Sequence, residues 1–224
     1  KSKQHSDMLM NLSEGQDNRV KRAIWNALRN YKNNDDVSTF LQNVVSTDSK
    51  YYSVSDAFRA LVAVDTAAAR KKVDALLVRD SHQDVIRSSA ISFFGSVKSD
   101  KNYNRLKELA SYGGTTWDAR PEAVSQLSRY AKEKRETIDI FVNLLEDRSR
   151  DVRRRAIYAL ASHGDKTHLG PLDEVMFKDP ALGRDIRYAK KRILNPPKKP
   201  TKTPVEKKLE EANRKLDEIK RLLD

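Results

Sequence analysis

Few residues of this chain are of a type and spacing that could do chemistry. Its four histidines are His5, His82, His163 and His168, and there is no cysteine. A protein zinc site needs ligands that converge, as the two histidines of H-E-x-x-H do on one helix face. None of these histidines has such a partner, and His163 and His168 flank a turn. No G-x-S-x-G elbow and no phosphate-cradling glycine loop is present. The most enzyme-like cluster is Trp117-Asp118 with Arg120. It offers a ring for stacking, a carboxylate and a cation.

Two basic runs offer a different chemistry, the neutralisation of phosphate or carboxylate. The first holds Arg148, Arg150, Arg153, Arg154 and Arg155 around the single acid Asp151. The second begins with Arg184, Arg187, Lys190, Lys191 and Arg192 and continues to Lys202, with Asp185 as its only acid. Together they form a candidate partner- or phosphate-binding patch. Phosphate binding through it would show steep salt dependence. Only Tyr158 and Tyr188 lie near these runs, which argues against single strands held by base stacking.

What must position these side chains is a repeat. Ala57, Ala90, Ala123, Ala156 and Ala189 are each 33 residues apart, and a large apolar residue follows each by four: Leu61, Phe94, Leu127, Leu160 and Ile193. One step back lie Ile24 and Leu28. A second column, Leu76, Leu109, Val142 and Val175, keeps the same period in separate helical segments. Each unit therefore has two amphipathic helices, A and B. The small alanine lets a neighbouring helix approach, and the residue four places on fills the core. Asp118 and Asp151, with Asp84 near the equivalent place, are expected to cap B helices. Pro121 and Pro171 fall where first turns are expected. Gly95, Gly113-Gly114 and His163-Gly164-Asp165 read as breaks, the glycine pair as a hinge between repeats. In this frame Asp118 is a cap and Trp117 a shield for the next unit. Ala156, Ala159 and Leu160 point inward, Arg153 and Arg154 largely outward.

A single hairpin cannot bury its apolar face, but a stack can. The expected fold is all-α: a right-handed α-α superhelix of five to six 33-residue hairpins over residues 1–194. The order Asp, Val-Arg, Ala, Ala-Leu is that of HEAT-type repeats. The T-P-L-H-x-A signature of ankyrin and the tetratricopeptide pattern are absent. NPPKKPTKTP, residues 195–204, reads as a stiff linker. In residues 205–224, Val205, Leu209, Ala212, Leu216, Ile219 and Leu223 step by 4, 3, 4, 3, 4, a heptad seam that folds back on the solenoid or else serves a partner helix or self-association.

Composition agrees with a thin helical assembly. Hydrophobic residues are 38% and charged residues 34%, and seven glycines and seven prolines leave little room for the turns of an all-β fold. The formal charge of +12 permits nucleic acid, anionic membrane or acidic protein as partners without choosing among them. No run approaches the ~18 apolar residues of a membrane span. The chain begins at Lys1, which points to a piece of a longer protein, and its compartment is left open.

Several segments match more than generic HEAT. KYYSVSDAFRALVAV, DSHQDVIRSSAISFFGSV, WDARPEAVSQLSRY and DRSRDVRRRAIYALASHGD resemble, in order and spacing, the C-terminal HEAT-like region of aminopeptidase N-type zinc metallopeptidases. The resemblance covers roughly residues 17–194. It implies a non-catalytic arm that shapes substrate access and packs against an upstream catalytic domain. Zinc would sit only in that upstream domain, so the chain itself carries no cofactor, metal ligand or catalytic residue. Ser53, Asp56, Glu122 and Gln126 depart from the apolar pattern, which implies loose packing or a partner-facing surface there. The alternative is a stand-alone HEAT scaffold that binds an acidic protein or nucleic acid through its basic patch. HEAT-like DNA glycosylases supply a third reading, with Trp117 and Asp118 as its working residues.

Overall fold

A computed structural model describes residues 3–196. The linker from residue 197 onward and the heptad seam of residues 205–224 lie outside the described residues. Twelve α-helices and no strand occur among those described. They are α1 (Lys3–Leu12), α2 (Asn18–Leu28), α3 (Asp35–Thr47), α4 (Tyr51–Val64), α5 (Thr66–Val78), α6 (Val85–Ser96), α7 (Asp100–Ala110), α8 (Arg120–Leu127), α9 (Thr137–Leu144), α10 (Arg150–His163), α11 (Leu169–Lys178) and α12 (Gly183–Leu194).

The helices pair as six hairpins. Each odd-numbered A helix packs on the B helix that follows it, and each B helix packs on the next B helix, from α2 through α12. This is an α-solenoid of two layers. The alanine column explains the B layer. Ala57, Ala90, Ala123, Ala156 and Ala189 are fully buried, so adjacent B helices meet over a methyl group. Leu61, Phe94, Leu127, Leu160 and Ile193 are buried beside them. In the A layer Leu76, Leu109 and Val175 are buried, while Val142 is half-buried. Contacts between successive A helices are sparser than those in the B layer. A stack that is tighter in one layer is expected to bend toward it, which puts the B helices, whose face carries a trough, on the inner, concave side.

The caps differ from the expectation. Asp151 lies one residue inside α10, and Ser149 is the cap that accepts from the Val152 N–H. Asp84 sits before α6 with φ at 52° and makes no cap bond. Asp118 is exposed in the turn before α8, whose first residues are held by the Thr116 carbonyl instead. Pro121 and Pro171 do fall in first turns. Gly95 is no break. It is buried inside α6, where a Cβ would lie 2.0 Å from Gln126 Oε1. Gly113-Gly114 is the turn within the α7–α8 hairpin rather than a hinge between repeats. Gly113 has φ at 79°, and a Cβ on Gly114 would lie 1.8 Å from the Glu108 carbonyl oxygen.

Candidate functional site: the concave B-helix face

An arginine column that the sequence reading did not single out organises the ends of the B helices. Arg87, Arg120 and Arg153 are 33 residues apart, each in the first turn of a B helix. The last carbonyls of an α-helix have no partner within it and carry partial negative charge. Arg87 Nε donates to the Leu77 carbonyl at 2.6 Å, Arg120 Nη2 to the Ala110 carbonyl at 3.2 Å, and Arg153 Nη1 to the Asp147 carbonyl at 2.6 Å. Arg87 and Arg120 thus tie down the end of the A helix in their own hairpins, and Arg153 ties down the loop that follows α9. Each also reaches the loop of the next hairpin. Arg87 donates to Thr116 at 3.2 Å, Arg120 pairs with Asp147 at 2.5 Å, and Arg153 with Asp179 at 2.6 Å. Asp84 completes this net by binding both Arg87 and Thr116.

This column settles part of the basic patch. Arg153 is not outward-facing: its side chain is 18% exposed and held by Asp179. Arg150 shares Asp179 at 3.0 Å. Those two guanidinium groups, Arg153 first, hold the Asp179 carboxyl below its ordinary pKa. Arg154 is half-buried between Asp151 at 2.5 Å and Asp185 at 3.2 Å. Lys190 pairs with Asp173 at 2.6 Å, and Arg148 stacks over the Tyr112 ring with its guanidinium carbon 5.4 Å from the ring centroid. Arg155, Arg184, Arg187 and Lys191 are exposed and Arg192 half-buried, and none has a carboxylate partner among the described residues. Arg184, Arg187 and Lys191 step by three and four, so they share one face of α12. Between the two helices Tyr158 and Tyr188 meet edge-on at 5.8 Å. The Tyr158 hydroxyl donates to Asp185 at 2.7 Å, which raises its pKa.

The Trp117–Asp118–Arg120 cluster does not converge. Trp117 is 70% exposed and shields nothing, Asp118 is exposed, and the Arg120 guanidinium is turned inward to Ala110 and Asp147. Among the described residues no group of three or more His, Asp or Glu is placed to hold a metal ion. His163 is half-buried, which lowers its pKa, with Lys132 adding to the effect. His168 accepts from the Asp165 N–H in a small capping box. No helix of the described residues is long and apolar enough to cross a membrane.

Further toward the N-terminus the same concave face opens into a trough of about 450 Å³. Arg29, Arg59 and Arg129 stand on its walls, with Ser89, Ser92 and Ser96 of α6 and Gln126 of α8 between them. No carboxylate lines it. Two acids that touch its lining residues are engaged: Asp56 with Arg22 at 2.8 Å and Arg59 at 3.7 Å, Glu122 with Ser92 and Gln126 at 2.7 Å. The departures from pattern at Asp56, Glu122 and Gln126 are therefore concave surface positions, whereas Ser53 is buried.

No protein-family model matches this chain, and no curated protein does. Among solved structures it is similar to an engineered protein, with 16% identity and a TM-score of 0.39 over 84% of this chain and 96% of that one. It is also similar to a designed armadillo repeat protein, with 16% identity and a TM-score of 0.39 over 82% of this chain and 96% of the other. Nothing in these comparisons supports an aminopeptidase N parent.

Proposed function

We propose that this chain is a non-catalytic helical-repeat scaffold that binds an acidic protein partner on its concave B-helix face. The observation that carries the reading is the ridge of Arg155, Arg184, Arg187 and Lys191, exposed on the last two B helices without a carboxylate partner among the described residues. A solvated charge that pairs with nothing in its own chain keeps its full attraction for a ligand. A cation already held by a carboxylate does not. The chemistry of the ridge favours protein over nucleic acid. Asp151, Asp173, Asp179 and Asp185 hold Arg150, Arg153, Arg154 and Lys190, so the cations left over form a short patch rather than a continuous track for a phosphate backbone. The two tyrosines are packed on each other, and one is tied to Asp185, so they are poor stacking platforms.

The test compares a labelled long polyglutamate with a labelled DNA duplex by fluorescence anisotropy, using wild type and R184E/R187E/K191E. The reading expects polyglutamate to bind at low salt and to weaken by about tenfold or more in the variant, a loss of about 1.4 kcal/mol. Duplex binding that exceeds polyglutamate binding at equal salt would replace the acidic protein with nucleic acid. No binding of either at low salt would remove the ridge as a site.

A further inference from the structure

We infer that the trough floored by α6 is a second seat on this face, built for an extended acidic peptide segment. The inference rests on the reading of the concave face as an acidic-ligand surface, but its residues are separate from the ridge. Three guanidinium groups converge on the trough from different repeats. Arg29 follows α2, Arg59 lies on α4, and Arg129 follows α8. Arg29 has no partner among the described residues. Arg59 has only the 3.7 Å contact with Asp56, whose closer partner is Arg22. Arg129 is steadied by neutral groups, with Nη1 3.2 Å from both Ser96 Oγ and Gln126 Oε1. Its charge is thus oriented but not neutralised.

The direction of the hydrogen bonds on the floor selects the kind of anion. A serine hydroxyl has one proton to donate and two lone pairs to accept with. Ser89 Oγ donates to the Ile86 carbonyl at 2.7 Å and Ser96 Oγ to the Ser92 carbonyl at 2.9 Å. Ser92 Oγ has its one proton claimed by Glu122 at 2.7 Å and the Ser88 carbonyl at 3.0 Å. Ser89 is itself buried, so Ser92 and Ser96 present the acceptors on the floor while the walls present donors. A phosphodiester backbone is rich in acceptors and would meet only the walls. A peptide has both: amide N–H groups for the serine oxygens, and carboxylates for the arginines.

Spacing sets the register. Neighbouring packed helices lie about 8–10 Å apart, and an extended chain advances about 3.3 Å per residue. Arg29 to Arg59 is one helix step and Arg59 to Arg129 is two. A ligand crossing the B helices would present carboxylates about three and then about six residues apart.

The experiment titrates a labelled peptide of about ten residues, with glutamates at that spacing, and its glutamine counterpart. It uses wild type, R59Q/R129Q, S92L and R184E/R187E/K191E, each first checked by circular dichroism and thermal melting. The glutamate peptide is expected to bind wild type and to lose about tenfold or more in R59Q/R129Q. Ser92→Leu, which fills the floor without changing charge, is expected to lose binding as well, and the ridge variant to keep it within about twofold. The glutamine peptide is expected not to bind. Loss in the ridge variant alone would overturn the trough while leaving the acidic-ligand reading intact. Equal binding of both peptides, or of all variants, would overturn the trough too. A single-stranded oligonucleotide that outcompetes the peptide in a manner sensitive to R59Q/R129Q would replace the peptide as its occupant.

Discussion

At the residue scale, the arginine column does more than its surface count implies. The side chains of Arg120 and Asp147 are only 5% and 8% exposed, and they join adjacent repeats. Removing one partner leaves the other charged and dry. Asp147→Ala is therefore expected to destabilise by about 3–5 kcal/mol. Urea unfolding at unchanged slope measures this. Arg120→Met/Asp147→Leu removes both charges and is expected to recover part of the loss. The deficit that remains reports the Ala110 carbonyl and the Ser149 N–H, which then lack their partners, at about 1–3 kcal/mol each. A variant pair with no loss in either member would mean the contact is incidental. Gly95 poses the opposite problem, crowding. Gly95→Ala places a methyl group against Gln126, whose Cβ is 2.8 Å away, and is expected to cost about 1–3 kcal/mol. In a Gln126→Gly background the obstacle is gone, Cβ included. There the sign should reverse, because alanine is favoured over glycine inside a helix by about 0.5–1 kcal/mol. Melting temperatures of the four proteins in this cycle decide it.

At the scale of elements, the caps determine which hairpins resist acid. Asp65 starts α5, accepting from the Ala68 N–H at 2.9 Å and from the Ser38 hydroxyl of α3 at 2.7 Å. These bonds, the amide first, hold its carboxyl below the usual range. The unfolded chain binds the proton more readily, with a pKa of about 3.9. The stabilisation is therefore complete above that value and is lost as pH falls through the lower folded pKa. Asp65→Ala is expected to cost about 0.5–2 kcal/mol near neutrality. The gap to wild type should narrow below pH ~3.9, and paired urea titrations at neutral and acid pH would show it. The repeat that frames these elements was legible because inward positions tolerate only one volume, so Ala57 and its equivalents recur without a gap. The caps were not legible. An aspartate near a helix start serves equally as a cap or as an ion-pair partner one residue in, and Asp151 took the second role. Arg87, Arg120 and Arg153 formed a visible column, but arginine is ordinarily a surface residue. Only the position of the preceding A-helix ends reveals why it is buried. The trough was invisible for a related reason: serines on a polar face read as ordinary surface until three arginines from other repeats close around them.

At the scale of the whole molecule, the charge of +12 overstates what a polyanion can use. Each phosphate neutralised on a duplex contributes about −0.9 to the slope of log binding constant against log salt. If all ten cations of the two basic runs up to Arg192 engaged phosphate, their share of the slope would approach about −9. Arg150, Arg153, Arg154 and Lys190 are held by carboxylates, and Arg148 stacks on Tyr112. The five that are left contribute no more than about −4.5 of that share. The repeat architecture itself imposes this limit, since the carboxylates that silence Arg150 and Arg153 belong to the next hairpin. One substitution can test it. Asp179→Asn keeps the side-chain oxygen that accepts from the Ala181 N–H but gives up the charge that holds both arginines. Duplex titrations across salt are then expected to steepen by about −1.8 in slope, two phosphates' worth. Arg154, still on Asp151, should not contribute. An unchanged slope would mean that Arg150 and Arg153 were available all along, and that the ion pairs between hairpins do not govern what this surface can bind.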